Sequence, residues 1–226
     1  YFVARAYLPQ QTIKDGIVEI AIIEGIYGNF KVKNNSHVED SEVQSFMDYL
    51  KQGQKVSTFS LERQMLLINE LSGTVVTNAE VYPGDIIGTS DFGITTEATD
   101  KYTGYGIFDN YGSKYTGEYR LTLGSSINSI SNIGDSLNFS GVVSNTANLK
   151  NGQISYDRPL GYNGLKGGVS IALTDYKLDK IDNYEGYGKT NTVNAYINYP
   201  ILKTRMRANN IGLYFSIVFI ELSKTS

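Results

Sequence analysis

Few residues in this chain are equipped for chemistry. Asp91-Phe92-Gly93 spells the metal-binding tripeptide of protein kinases, but phosphoryl transfer also needs a catalytic-loop Asp after a His-Arg pair and a Gly-rich loop feeding a strand Lys. The one histidine, His37, lies elsewhere, so the match is chance. Gly104-Tyr105-Gly106 lacks the third glycine and the following helix of a dinucleotide site and reads as a glycine pair in a strand. His37 sits in the polar run "NNSHVED", where a solvated loop residue is expected rather than a base or a metal ligand. Glu39, Asp40 and Glu42 fall where a helix should begin and favour its dipole. No Ser-His-Asp set can be assembled around a single His, and the absence of Cys removes thiolate nucleophiles and Cys-based zinc sites together. The expectation is a protein that is not an enzyme, with no catalytic residue, no metal and no cofactor.

Composition narrows the remaining classes. At 226 residues, 41% hydrophobic and 12% aromatic, the chain can bury a sizeable core. A net charge of -3 with scattered Lys and Arg offers no basic stripe for nucleic acid. The longest apolar run, Ile211 to Leu222, is too short for a membrane helix, though a transmembrane barrel needs no such run. The 18 Tyr and 23 Gly suit surfaces with one wet and one greasy side. With Tyr1 in place of an initiator Met and no signal peptide, the chain reads as a fragment or a processed product.

The elements that must position any site change style near Thr95. Before it, "YFVARAYL" and "GIVEIAIIEG" are strand-like, punctuated by Pro9 and Gly16. Val43, Phe46, Met47 and Leu50 at helical spacing predict a helix stopped by Gly53. Leu61, Met65, Leu66, Ile68 and Leu71 predict a second, capped by Ser60 and ended by Gly73. With strands at "TVVTNAEVYPG" and "SDFGITTEAT" this makes a strand, helix, helix, strand, strand unit from about Tyr27 to Glu97, a small α+β domain.

From about Ala98 every segment alternates with period two between turns such as "DNYGSK", "SISNIGD" and "GYNG". Leu121, Leu123, Leu137, Phe139, Ile154, Tyr156, Val169, Ile171, Leu173, Val193, Ala195 and Ile197 share one face. Arg120, Thr122, Asn138, Ser140, Ser155, Asp157, Ser170, Thr174, Asn194 and Asn198 share the other. Strands of about ten residues with aromatics near their ends (Tyr102, Tyr105, Phe108, Tyr176, Tyr196, Tyr199 among them) fit an outer-membrane barrel. A soluble sandwich alternates in the same way, and the pattern leaves both open. The last stretch, "LYFSIVFIELSKTS", loses the alternation and reads either as a seventh strand or as a truncation or frame-shift scar.

Four blocks resemble, in order, the outer-membrane transporters of two-partner (type V) secretion, the haemolysin-activator or haemagglutinin-exporter family: Arg5 to Gly25, Leu61 to Asp91, Asp109 to Arg120 and Tyr156 to Ser170. The resemblance implies an α+β POTRA fold followed by antiparallel transmembrane β-barrel strands. Residues 1–26 would end a first POTRA domain, 27–97 form a second, and 98–226 begin an incomplete barrel. It implies export of a secreted partner exoprotein of haemolysin or adhesin type. The partner is captured unfolded by POTRA domains in the periplasm and passed through a pore in the outer membrane of a Gram-negative bacterium, among outer-membrane lipid. Neither nucleic acid nor a small-molecule substrate takes part. In the POTRA order the strand Thr74, Val75, Val76, Thr77, Asn78, Ala79, Glu80, Val81 lies at the sheet edge and could pair with an incoming chain. Arg120, Thr122, Asn138, Ser140, Ser155, Asp157 and Asn194 would line the pore. A family barrel has about sixteen strands and a Val-Arg-Gly-Tyr pore loop. This tail supplies six or seven strands and lacks the loop, so it is not expected to close a pore alone. The alternatives are a POTRA-barrel outer-membrane assembly factor and a soluble β-rich binding module.

Overall fold

In the computed structural model, which describes residues 4–13, 16–181 and 184–225, the chain divides where its periodicity changes. Strands β1 (Arg5–Tyr7) and β2 (Ala21–Ile23) pair antiparallel but are only three residues each, far shorter than their sequence predicts. Tyr7, Ile17, Val18, Ile20 and Ile22 are exposed, so no packed layer extends the pairing. Residues 1–3, 14 and 15 of the expected 1–26 segment lie outside the described ones.

The next five elements are β3 (Ile26–Asn35), α1 (Asp40–Asp48), α2 (Thr58–Ile68), β4 (Thr74–Pro83) and β5 (Thr89–Ala98). The sheet order is β3-β5-β4, with β5 parallel to β3 and antiparallel to β4. Tyr27, Phe30 and Phe92 form an aromatic cluster with centroids 5.4–6.0 Å apart, covered by Val43, Phe46 and Met47 of α1 and Leu67 and Ile68 of α2. Glu39 is the N-cap of α1, with Asp40 and Glu42 in the first turn, where negative charge is favoured.

Two details of α2 differ from the sequence reading. Ser57, not Ser60, caps it: Ser57 has the extended backbone a cap requires, and its hydroxyl accepts the Ser60 N–H at 3.3 Å. The helix also ends at Ile68 rather than running to Gly73, because the Asn69 side chain accepts the Val76 N–H at 2.6 Å and turns the chain toward β4. The most buried stripe is accordingly Gln64, Leu67 and Ile68, while Leu61, Met65 and Leu66 stay partly open.

The remaining strands are β6 (Tyr102–Asp109), β7 (Arg120–Asn128), β8 (Ser136–Ser144), β9 (Leu149–Pro159), β10 (Lys166–Ile181), β11 (Tyr184–Lys203) and β12 (Ala208–Thr225). They form one antiparallel sheet in sequence order, with β6 and β12 as its outer strands. The ambiguous last stretch is thus a strand, paired along β11 from Ala208 to Thr225. Its alternation fails because Tyr214, Val218, Ile220 and Leu222 put apolar groups on the face that is polar in its neighbours.

Register sorts the faces. Thr103, Ser126, Asn138, Ser155, Ser170, Asn194 and Ser216 align across all seven strands. One residue away, Gly104, Ser125, Phe139, Ile154, Ile171, Val193 and Ile217 align on the opposite face. The apolar face is open: Leu123, Val169, Leu173 and Phe215 are each more than half exposed. It stops at a row of alternating charge, Lys150, Asp175, Lys189 and Glu221.

On the polar face, Tyr105 lies over Gly124, Tyr176 over Gly188 and Tyr196 over Gly168, each ring occupying the space a cross-strand Cβ would fill. Gly168→Val is therefore expected to displace Tyr196 and destabilise the sheet by about 1–3 kcal/mol, whereas Ile154→Val on the open face should cost far less. Urea unfolding in micelles, followed by circular dichroism, measures both.

Tyr27 supplies a second prediction. Its hydroxyl donates to the Ser57 carbonyl at 3.0 Å and accepts the Ser57 N–H at 3.1 Å, and burial pushes its ionisation above the ordinary tyrosine range. Its contribution is therefore complete below the unfolded value of about 10 and is lost as the pH rises beyond it. Tyr27→Phe should cost about 1–3 kcal/mol at neutral pH, read as faster amide hydrogen exchange at the start of α2. It should also remove that alkaline loss.

Candidate functional site: a polar wall and the domain at its end

The seven residues expected to line a pore come from four strands, β7, β8, β9 and β11, and the register puts them all on one face. Arg120 pairs with Asp109 of β6 at 2.9 Å. Asn138 donates to Asp157 at 3.1 Å and to Ser155 at 3.3 Å, and the Tyr196 hydroxyl donates to the other Asp157 oxygen at 2.5 Å. Asn194 donates to Ser170 at 3.1 Å, and Asn151 to Thr174 at 2.8 Å. Thr122 and Ser140 stand in the same rows, opposite Val142 and Gln153. The result is a wall of mostly neutral hydrogen-bonding groups whose few charges are already partnered.

Sequence reasoning missed part of this wall. Tyr105, Tyr176 and Tyr196 read as aromatics at strand ends, whereas register puts them on the polar face over glycines. The signal was available: each stands at a polar-face position opposite a glycine. Tyr102 and Phe108 do mark the two ends of β6 on the apolar face, both 72% exposed.

Strand β4, with Thr74, Val75, Val76, Thr77, Asn78, Ala79, Glu80 and Val81, pairs only with β5 and leaves its other edge free of any described strand. A bulge between Val76 and Asn78 interrupts the ladder at Thr77. Thr74 and Val76 are turned inward, and the rest are exposed.

The chemically suggestive residues have structural work. Asp91 is buried and accepts the Asn29 N–H at 2.8 Å, Phe92 is core, and Gly93 lies beneath the Tyr82 ring. His37 is not a freely solvated loop residue: it is half-buried, with its carbonyl accepting from Ser129 and its N–H donating to the Gly73 carbonyl. It is drawn inward because the β7–β8 turn packs on this loop. Among the described residues, no group of three or more His, Asp or Glu is placed to hold a metal ion.

That turn belongs to a larger contact. The turns β7–β8, β9–β10 and β11–β12 all emerge at one end of the sheet, and all three touch the α+β domain.

Known proteins share this arrangement. The chain is 30% identical over 206 residues to the heme/hemopexin transporter protein HuxB of Haemophilus influenzae, covering 90% of this chain and 36% of that protein. It is 27% identical over 181 residues to the outer membrane transporter CdiB of Dickeya dadantii, covering 78% of this chain and 31% of that protein. The chain therefore spans about a third of the length of these relatives. CdiB from Escherichia coli superposes on 97% of this chain and 42% of its own, with a TM-score of 0.74 at 23% identity. CdiB from Acinetobacter baumannii reaches 0.69 at 18%, over the same shares, and both likenesses concern the fold. Residues 88–217 match the family described as haemolysin secretion/activation protein ShlB/FhaC/HecB, and with more than half of its length so matched the chain belongs to that family of two-partner secretion transporters.

Proposed function

We propose that this chain is part of an outer-membrane translocator that captures a partner exoprotein, of haemolysin or adhesin type, and passes it through a β-barrel. In this reading residues 27–97 are a POTRA domain in the periplasm, 1–26 the end of a preceding one, and 98–226 the first strands of the barrel. One observation carries it: a seven-stranded sheet with an open apolar face, a polar face and the α+β domain at one end, in a chain of this family.

Energetics favour lipid on the apolar face. An apolar surface spanning seven strands exceeds the ~300–600 Å² that is usual for the largest patch on a soluble monomer. Along β12 from Ile211 to Phe219 it extends roughly 27 Å of strand, which at a tilt of about 35–45° covers about 19–22 Å of the ~25 Å apolar band of outer-membrane barrels. The charged row at Lys150, Asp175, Lys189 and Glu221 then stands where lipid gives way to water. The helix-bearing end is the periplasmic one, and β10 to β12 continue past the charged row toward the outside.

Capture is assigned to the free edge of β4. An extended chain adding there gains main-chain hydrogen bonds without needing a particular sequence. The wall of Arg120, Thr122, Asn138, Ser140, Ser155, Asp157 and Asn194 then lines the route, and its side chains offer exchangeable hydrogen bonds to a passing backbone.

The test expresses the full-length protein in a Gram-negative host together with a candidate exoprotein of haemolysin or adhesin type. The protein should fractionate with the outer membrane and need detergent for extraction, and the partner should reach the medium only when it is present. Extraction into buffer alone refutes the reading. Val75→Lys with Val81→Lys, two exposed edge positions, should weaken partner binding about tenfold, ~1.4 kcal/mol, by placing charge along the edge, with membrane insertion unchanged.

A further inference from the structure

The contact between the helices and the strand turns is built like a joint that does not bend. At the β7–β8 turn, the Ser129 hydroxyl donates to the His37 carbonyl at 3.0 Å, the Asn132 carbonyl accepts the Glu39 N–H at 2.7 Å, and the Gly134 carbonyl accepts the Ser72 N–H at 3.1 Å. Ser129 holds a left-handed backbone (φ 51°), fixed by its own hydroxyl accepting the Gly134 N–H. At the β9–β10 turn, Tyr162 meets Phe46 edge-on at 5.3 Å and joins the α+β core.

Two charged residues of the α2 segment tie the second and third turns together. Arg63 donates to the Asn163 carbonyl at 3.1 Å and the Pro200 carbonyl at 2.6 Å, and its guanidinium lies over the Tyr199 ring. The Glu70 carboxylate takes Lys166 of β10 on one oxygen at 3.1 Å and Lys203 of β11 on the other; Lys166 also donates to the Glu70 carbonyl. Glu62 accepts the Arg205 N–H at 2.9 Å.

Close backbone approach completes the fit. Gly164 (φ +95°) and Gly134 (φ +79°) adopt conformations that favour glycine, and a Cβ on either would stand 2.7 Å from Leu67 Cδ2 or Leu71 Cβ respectively. The three turns are spread across strands β7 to β12, so a rotation that relieves one contact strains another. Arg63 is suited to the task because its Nη2 donates to both carbonyls while the planar guanidinium lies over the Tyr199 ring, a stacking that an ammonium does not offer.

We infer that Arg63 and Glu70 are positioning residues that hold the α+β domain and the barrel sheet as one rigid body, so that the free edge of β4 keeps a fixed place relative to the polar wall while cargo is moved. The inference rests on the export reading above for its functional half and on geometry alone for its rigidity.

These 226 residues contain no Cys, and any Cys elsewhere in the full-length protein is first changed to Ser. In the full-length protein in detergent, spin labels at Ala79→Cys on β4 and Lys150→Cys on β9 should give one narrow distance distribution. Glu70→Lys, which sets a third cation against Lys166 and Lys203, should broaden it, and Lys166→Glu with Lys203→Glu added should narrow it again. In cells, Glu70→Lys should cut export at least tenfold with partner binding unchanged, and the charge-swapped variant should recover it. A short bis-maleimide cross-link between Glu39→Cys and Asn132→Cys, exposed positions that meet through backbone atoms alone, should leave export at its unmodified level. A distribution as narrow in Glu70→Lys as without it overturns the inference, and so does export abolished by the cross-link, since the joint must then open. If the unmutated protein exports nothing, the export reading fails while the spin-label result still decides rigidity.

Discussion

Cross-strand register is the constraint on which the rest depends. Side chains alternate faces along a strand, so a slip of one residue between any two neighbours moves a whole strand's apolar set to the other side. The row from Thr103 to Ser216 runs through seven strands without a slip, and so does the row from Gly104 to Ile217 beside it. Among the described residues of this sheet, the pairing shifts between Leu178 and Ile181 and between Pro200 and Leu202, both outside these rows. Interruption is thus confined to strand ends, where it costs neither the apolar surface nor the polar wall.

Register also decides what the α+β domain can hold. Lys166 and Lys203 converge on Glu70 because each stands at the turn end of its strand, β10 or β11, on the side of the α2 segment. A carboxylate between two ammonium groups is only moderately favourable where water reaches it, and Glu70 and Lys166 are each about one-third exposed. The pairing therefore contributes direction more than stability. Tyr162 against Phe46 and Leu67 against Gly164 remove apolar area from water and supply most of the attraction. A contact with apolar packing at its centre and charged groups around it can be tight and still have one orientation.

Much of this was legible in the sequence, for reasons that separate by range. The faces of β7 to β11 followed from alternation, because Leu121, Leu123, Val169, Ile171 and Leu173 leave no other side for Arg120, Thr122 and Ser170. Two helices followed from the spacing of Val43, Phe46 and Met47 and of Leu61, Ile68 and Leu71. Their ends did not, since Ser57 and Ser60 are equally good caps until the backbone shows which is extended. The tyrosines on the polar wall were misread because the compensating glycine lies on the neighbouring strand, 28 residues away for Tyr196 and Gly168. The joint was invisible: the acceptors of Arg63 are backbone carbonyls 100 and 137 residues distant, which no local pattern encodes. His37 was placed in solvent for the same reason, as the turn that covers it is 92 residues further on.

The character of the wall follows from how its charges are spent. Asp157 is engaged by Asn138 and Tyr196, and Arg120 by Asp109, so neither presents an unpartnered charge on this face. What remains outward is amide and hydroxyl, groups that both donate and accept and exchange partners with water at little net cost. An extended polypeptide offers a carbonyl and an N–H at every residue, about 3.4 Å apart. In the proposed export route, each new hydrogen bond along this wall would replace one of similar strength, so a passing chain would meet a surface without a deep minimum. A free carboxylate or guanidinium would create one, because charged hydrogen bonds are roughly twice as strong. The flat tyrosine rings of β6, β10 and β11 act in the same sense: lying over Gly124, Gly188 and Gly168 rather than standing away from the sheet, they keep the wall low, and apolar groups stand out from this face at β12, with Tyr214, Val218, Ile220 and Leu222.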